Sequence, residues 1–320
     1  GEHGTRAGIR QSRFGAVAAP ATSGSTPVEI EGRSLTLTNL DKVLYPAAAF
    51  TKAAVIDYYL RVAPVLLPHL HRRALTMVRW PDGVDGPSFF EKRVPPHAPD
   101  WLARVESDPG LVQPVVDDLP GLIWVANLAA LELHTRQSTA DAPDAPTSLV
   151  IDLDRGAPAD VLSCAAVALT LRELLEGLGL TAVVKTSGGK GLHVGVPVHG
   201  ATSEETKGLA RALGQLLQKR DPARVTVSMR KDLRRDKVFV DWSQNDRHKT
   251  TVAVYSLRAG PRPTVSTPVT WDEVADALAA DDPDRLVFEA PAVLERVTRR
   301  GDLYAPNLTG GTTLPVLGDR

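Results

Sequence analysis

The stretch Ser148-Leu149-Val150-Ile151-Asp152-Leu153-Asp154 reads as an apolar β-strand that ends in two aspartates at i and i+2. Strand side chains alternate faces, so Asp152 and Asp154 point the same way. Two carboxylates side by side at a strand end repel unless something positive sits between them. The usual answers are a divalent metal or a basic residue. A metal would make this the floor of a phosphoryl-transfer site; a basic residue would make it an ion pair. Asp-x-Asp alone does not choose, because glycosyltransferases and many loops share it.

Working outward, the 320 residues are 43% hydrophobic and 23% charged, with a formal net charge of −1. These values suit a globular protein of one large domain or two small ones. Near-neutral charge gives no global sign of nucleic acid and does not exclude it, since charge can be segregated locally. Cys164 is the single cysteine, so no intrachain disulfide can form, and its apolar helical setting marks an inert core residue. No run reaches the ~18 apolar residues of a membrane span and no signal peptide is evident, so a cytoplasmic protein is expected.

Residues 1–27 lack apolar periodicity and read as a disordered tail, with order beginning at Val28. Val28–Ile30 and Leu35–Leu37 alternate like a hairpin around Gly32. Thr51 caps a helix from Lys52 to Leu67. Ala74–Trp80 is predicted as a strand and Leu122–Leu133 as a helix. After the aspartate pair come a helix over Ala159–Leu178 and strands at Val183–Thr186 and Leu192–Pro197. A helix capped by Ser203 follows. Val238–Trp242 and Thr251–Tyr255 are strands, Trp271–Ala280 is a helix, and the chain from Gly301 is expected to be loose. Strands and helices interleave without a strict βα period, so the class is α+β.

A third strand-end carboxylate, Asp241, follows Val238-Phe239-Val240. Alone it would be a turn residue; with Asp152 and Asp154 it completes three hard oxygen donors that suit Mg²⁺ or Mn²⁺. Between two strands lies Thr186-Ser187-Gly188-Gly189-Lys190-Gly191-Leu192-His193. Its glycines let backbone amides approach an anion, and Ser187, Lys190 and His193 add donors. It is not a Walker A loop, because a strand follows where a helix should. His134, read at the end of a helix, and Arg258, just past a strand, are uninformative singly; the arginine is a natural phosphate clamp. Basic residues gather at 230–237, directly before the Asp241 strand, as a nucleic-acid enzyme would need. Lys42 and Lys52 flank an early turn. Phe89 and Phe90, followed by Lys92 and Arg93, could stack on a base or serve the core.

In this order these segments resemble the polymerase domain of bacterial ligase D, a branch of the archaeo-eukaryotic primase superfamily. The matching stretches are Leu40–Pro46, Phe89–Lys92, Trp124–Leu128 with Glu132-Leu133-His134, Asp152–Asp154, Thr186–His193, Val240–Asn245, Lys249–Thr251 and Tyr255–Arg258. The resemblance implies a primase-polymerase fold over about residues 28–300, an RRM-like catalytic sheet packed with an N-terminal α/β subdomain, and a C-terminal extension over 301–320. It implies that Asp152, Asp154 and Asp241 hold two Mn²⁺ or Mg²⁺ ions. His134, Ser187, Lys190, His193 and Arg258 would contact the incoming NTP or dNTP. Lys42 and Lys52 would grip a 5′-phosphate of gapped or broken DNA, and Phe89 and Phe90 would stack beside it. The implied activity is template-dependent and end-adding nucleotidyl transfer in DNA repair, with ribonucleotides accepted. A Ku-like end binder or a separate ligase are the implied partners, in a nucleoid-associated setting.

Three departures from the resemblance stand out: Gly189 where a second loop serine is usual, Arg155 where a proline is usual, and Arg136 where tryptophan is frequent. The short flanks favour a stand-alone, actinobacterial-type relative. Two other readings remain. A DNA-end-binding module would use Lys42, Lys52, Phe89 and Phe90 with little synthesis. A sugar-nucleotide transferase would not need DNA or Asp241.

Overall fold

A computed structural model describes residues 24–316. Of the tail expected over residues 1–27, residues 1–23 lie outside the described residues. In chain order the elements are β1 (Ser25–Ile30), β2 (Arg33–Thr38), β3 (Val43–Tyr45), β4 (Phe50–Thr51), α1 (Lys52–Leu70), β5 (Leu75–Arg79), β6 (Phe89–Glu91), β7 (Arg104–Asp108), β8 (Leu111–Pro114), α2 (Leu119–Asn127) and β9 (Ala130–Thr135). There follow β10 (Ser148–Arg155), α3 (Val161–Gly177), β11 (Val183–Thr186), β12 (Gly191–Pro197), α4 (Ser203–Arg220), β13 (Val225–Thr226), β14 (Val238–Asp241), β15 (Thr251–Val252), β16 (Pro268–Val269), α5 (Trp271–Ala279) and α6 (Ala290–Arg300). The class is mixed helix and sheet, as the interleaved patterns implied.

Two sheets matter for function. The larger has the order β13-β14-β10-β12-β11-β16, with β10 central between antiparallel β14 and β12. Helices α3 and α4 cover one face of it. Leu149, Ile151 and Leu153 point into that core with Leu171, Leu175, Leu209 and Leu213. Residues of the opposite parity, Val150, Asp152 and Asp154, are therefore turned to the other face. The second sheet has the order β15-β9-β5-β6, and its core gathers Tyr58, Tyr59, Leu66, Leu122, Leu131 and Leu133. β15 comes late in the chain yet pairs with β9, so the second sheet is finished by residues that follow β14 of the first.

Several local expectations needed correction. The helix expected over Leu122–Leu133 stops at Asn127, and Ala130–Thr135 is strand β9. Ala129 adopts a left-handed φ of 55°, which ends the helix there. Every side of this strand but one residue is buried, so it shows no alternation and its apolar run could not be told from a helix. His134 consequently sits on a strand and has no helix dipole beside it. Strand β1 begins at Ser25, earlier than the expected Val28. The cap of α4 is Thr202, in a reciprocal capping box with Glu205, one residue before the expected Ser203. The chain after Gly301 is not loose: Tyr304 is buried, and Asp302 accepts from the Tyr255 hydroxyl at 2.7 Å and contacts His69 Nε2 at 2.8 Å.

Candidate active site

Antiparallel register puts Asp241 opposite Asp152, Asp152 opposite His193, and His193 opposite Lys185. Four titratable side chains thus form one row across β14, β10, β12 and β11, and all four are buried. Asp154 stands one pleat further along β10. The row faces the second sheet, so the cleft between the sheets holds the chemistry of the molecule.

Burial, then the neighbouring Asp241 charge, pushes the Asp152 carboxyl up to about 7, against the pull of Lys185 and Arg258. Asp154 is raised as well, by burial and by Asp152. His193 is pushed well down, chiefly by burial and by Lys185. His193 Nε2 lies 3.2 Å from Asp152 Oδ1, but the pair is not aligned as a hydrogen bond. Asp152 Oδ1 and His193 Nδ1 are both buried without a partner. A buried carboxylate oxygen with no donor is costly unless something else fills that place. Asp241 is held differently: its Oδ1 accepts from the Ser243 amide (2.9 Å) and hydroxyl (2.6 Å), and its Oδ2 from Gln244 Nε2 (2.8 Å).

These features suit hard divalent cations: three carboxylates, one orphaned oxygen and mutual repulsion that a cation would relieve. Among the described residues no group of three or more His, Cys, Asp or Glu side chains is already gathered closely enough to hold a metal ion.

The glycine-rich loop closes one end of the cleft. Ser187 is buried, and its hydroxyl accepts from the amides of Gly189 (3.2 Å) and Gly191 (3.0 Å), so it shapes the loop from inside. Lys190 is exposed at the loop tip. Gly188 has φ 75°, and a Cβ there would meet Arg258 Cγ at 2.6 Å. Arg258 packs on the loop and donates Nη1 to the Ser187 carbonyl at 2.8 Å. Its backbone is fixed in turn by the Tyr45 hydroxyl, which donates to the Arg258 carbonyl at 2.8 Å. His134, on β9, lies 3.0 Å from Glu132 Oε1 through Nε2. The structure therefore brings Asp152, Asp154, Asp241, Ser187, Lys190, His193, His134 and Arg258 to one cleft.

The second group stands at the cleft's edge. Phe89 and Phe90 are 53% and 60% exposed on the edge strand β6, so neither belongs to the core. Phe90 still approaches the cleft, with its ring centroid 6.4 Å from that of His134. The Lys52 amide donates to the Lys42 carbonyl, which brings the two lysines together. Lys42 pairs with Asp82 at 2.7 Å; Lys52 is buried and its Nζ meets Thr38 Oγ1 at 3.1 Å. Burial lowers the Lys52 amine to about 8, and the charges of Lys42 and Arg79 add to this. Much of the basic run at 230–237 is tied down: Arg230 pairs with Asp232, Arg234 stacks over Phe239 at 3.6 Å, and Lys237 bonds the Pro222 carbonyl.

Four contributors escaped the sequence reading: Glu132, Lys185, Ser243 and Gln244. Glu132 and His134 stand at i and i+2, so a strand reading would have put them on one face. Lys185 carries no motif; only the register reveals it.

Known proteins resemble this chain over most of its length. The family model described as LigD, primase-polymerase domain, matches residues 51–304. The multifunctional non-homologous end joining protein LigD of Mycobacterium bovis is 44% identical over 281 residues, covering 84% of this chain and 36% of the relative. The bifunctional non-homologous end joining protein LigD of Bacillus subtilis is 32% identical over 269 residues, covering 83% of this chain and 43% of the relative. The chain thus spans well under half the length of these curated relatives. The solved polymerase domain of Mycobacterium tuberculosis ligase D, in complex with DNA, superposes with a TM-score of 0.79 at 42% identity, covering 86% of this chain and 98% of that one. With the fold, the cleft and the matched sequence in agreement, the chain belongs to the LigD primase-polymerase family.

Proposed function

We propose that this chain is a DNA-directed nucleotidyltransferase that fills short gaps or extends ends during DNA repair and accepts ribonucleotides. The observation that carries this reading is the carboxylate row Asp241–Asp152, with an unpartnered oxygen, set against the Ser187–His193 loop in one cleft. A buried anionic floor beside a cluster of donors is the charge arrangement that transfer of a nucleoside monophosphate requires. The family membership and the DNA complex of the solved relative support DNA as the partner.

Asp152, Asp154 and Asp241 would hold Mn²⁺ or Mg²⁺, which when bound polarise the primer hydroxyl and offset charge on the phosphates. The chain's own groups do the rest. Lys190, His134 and Arg258 face the triphosphate and stabilise the charge that moves to pyrophosphate as the primer 3′-oxygen bonds the α-phosphorus. Ser187 keeps the loop amides in place. Lys42 and Lys52 receive the 5′-phosphate across the gap, and Phe89 and Phe90 stack on the template beside it. Residues 28–300 form the catalytic unit in this reading. A Ku-like end binder and a ligase activity would complete the repair of a break. No helix among the described residues is long and apolar enough to cross a membrane.

The deciding experiment is primer extension on a gapped, 5′-phosphorylated duplex with Mn²⁺, using ribo- and deoxyribonucleotides in parallel. Incorporation that vanishes in Asp152→Ala and Asp241→Ala, while DNA binding survives, supports the reading. No incorporation by the parent chain, or parent-rate extension by either variant, overturns it.

A further inference from the structure

Glu132 is a buried carboxylate, 8% exposed, to which the reaction above gives no part. Its Oε1 sits 3.0 Å from His134 Nε2, and its Oε2 accepts the Ala259 amide at 2.9 Å. Arg258 Nε lies 3.3 Å from the same Oε2, and Arg258 Nη1 donates to the Ser187 carbonyl at 2.8 Å. One carboxylate therefore touches both cationic-type donors that face the cleft from this side and, through Arg258, reaches the glycine loop of the opposite sheet. Burial pushes the Glu132 carboxyl up, yet the contacts from His134, Arg258 and Ala259 outweigh it and leave it below the usual range.

The chemistry of the histidine contact is one-sided. An ionised carboxylate only accepts, so His134 Nε2 must carry a proton.

We propose that Glu132 is a positioning residue for nucleotide binding: it fixes the His134 ring through Nε2 and holds Arg258 against the Ser187 carbonyl, so both side chains are set before the triphosphate arrives. This rests on the nucleotidyl-transfer reading. A plain structural ion pair would instead tie β9 to the segment after β15 without discriminating nucleotide.

The test compares the full chain with Glu132→Gln, Glu132→Asp, and the pair His134→Ala with Arg258→Ala, with and without Glu132→Gln. On the gapped substrate with Mn²⁺, Glu132→Gln should raise the KM for the ribonucleotide about tenfold or more and lower kcat by about threefold or less. Glu132→Asp, which keeps the charge, should recover part of that KM. In the His134→Ala, Arg258→Ala background, Glu132→Gln should add about twofold or less, because it acts through those two side chains. A full additional loss there, or a fall in kcat with KM unchanged, overturns the role. Calorimetric titration of the same nucleoside triphosphate reads the role without synthesis. Weaker binding by Glu132→Gln supports it and equal binding overturns it, even if the parent chain fails to extend a primer and only the polymerase reading falls.

Discussion

Lys52 shows how burial of a single charged side chain costs stability. It is buried beside Lys42 and Arg79, and its amine titrates near 8. An unfolded lysine titrates at about 10.4, so between about pH 8 and pH 10 the unfolded chain binds more protons than the folded one. Stability from this group therefore rises with pH across that window, and the charged form is a cost at pH 7. Lys52→Met should raise Tm by a few degrees at pH 7, an advantage that shrinks by pH 10, as scanning calorimetry would read. The same variant should erase any preference for a 5′-phosphate in gap binding, and a preference that survives would remove Lys52 from that site. In the parent, the preference should fade as pH rises through about 8, where the free amine loses its charge. Asp152→Asn carries the opposite lesson: it should cost synthesis on the order of a hundredfold or more while leaving the fold intact.

At the scale of elements, Phe89 and Phe90 make β6 a strand edge with exposed aromatics, which needs a reason other than the core. Phe89→Ala with Phe90→Ala should change stability by about 0.5 kcal/mol or less yet weaken gapped-DNA binding, measured by fluorescence anisotropy. Gly191 shows the reverse. A Cβ there would lie 1.7 Å from the Leu153 carbonyl oxygen, inside the β10–β12 ladder. Gly191→Ala should cost about 3 kcal/mol or more and disturb the Asp154 end of the site, which denaturant titration and extension together would detect. Legibility followed the same physics. β10, β11, β12 and β14 could be read because short apolar runs end in polar turns, and α1 because Thr51 caps it. The Ala130–Thr135 strand could not, since it is buried nearly all round and neither period stands out. The carboxylates were legible as donors at strand ends. Their pairing was not, because register across β14, β10 and β12 is set by contacts far apart in the chain. The roles of Lys185 and Glu132 depend on that register too.

For the whole molecule, the telling point is how the two cores share chain. The first core is built from residues 35–133 together with Ala253–Leu257, Val265 and residues 290–304. The hydroxyls of Tyr58 and Tyr59 donate to the carbonyls of Tyr255 and Leu131, and Asp302 joins His69 to Tyr255. Asp302→Ala leaves His69 and the Tyr255 hydroxyl without their buried acceptor and should cost about 2–4 kcal/mol, read as a lowered denaturation midpoint. A fragment of residues 24–141 should stay protease-sensitive where residues 24–310 resist; a resistant short fragment would mean that the first sheet is complete without β15. The late arrival of β15 and of the 253–265 segment also has a consequence during synthesis. The amino-terminal half leaves the ribosome with its edge open and the Tyr45 and Tyr58 hydroxyls without their native acceptors, and it has to wait there until the carboxyl-terminal third has been translated.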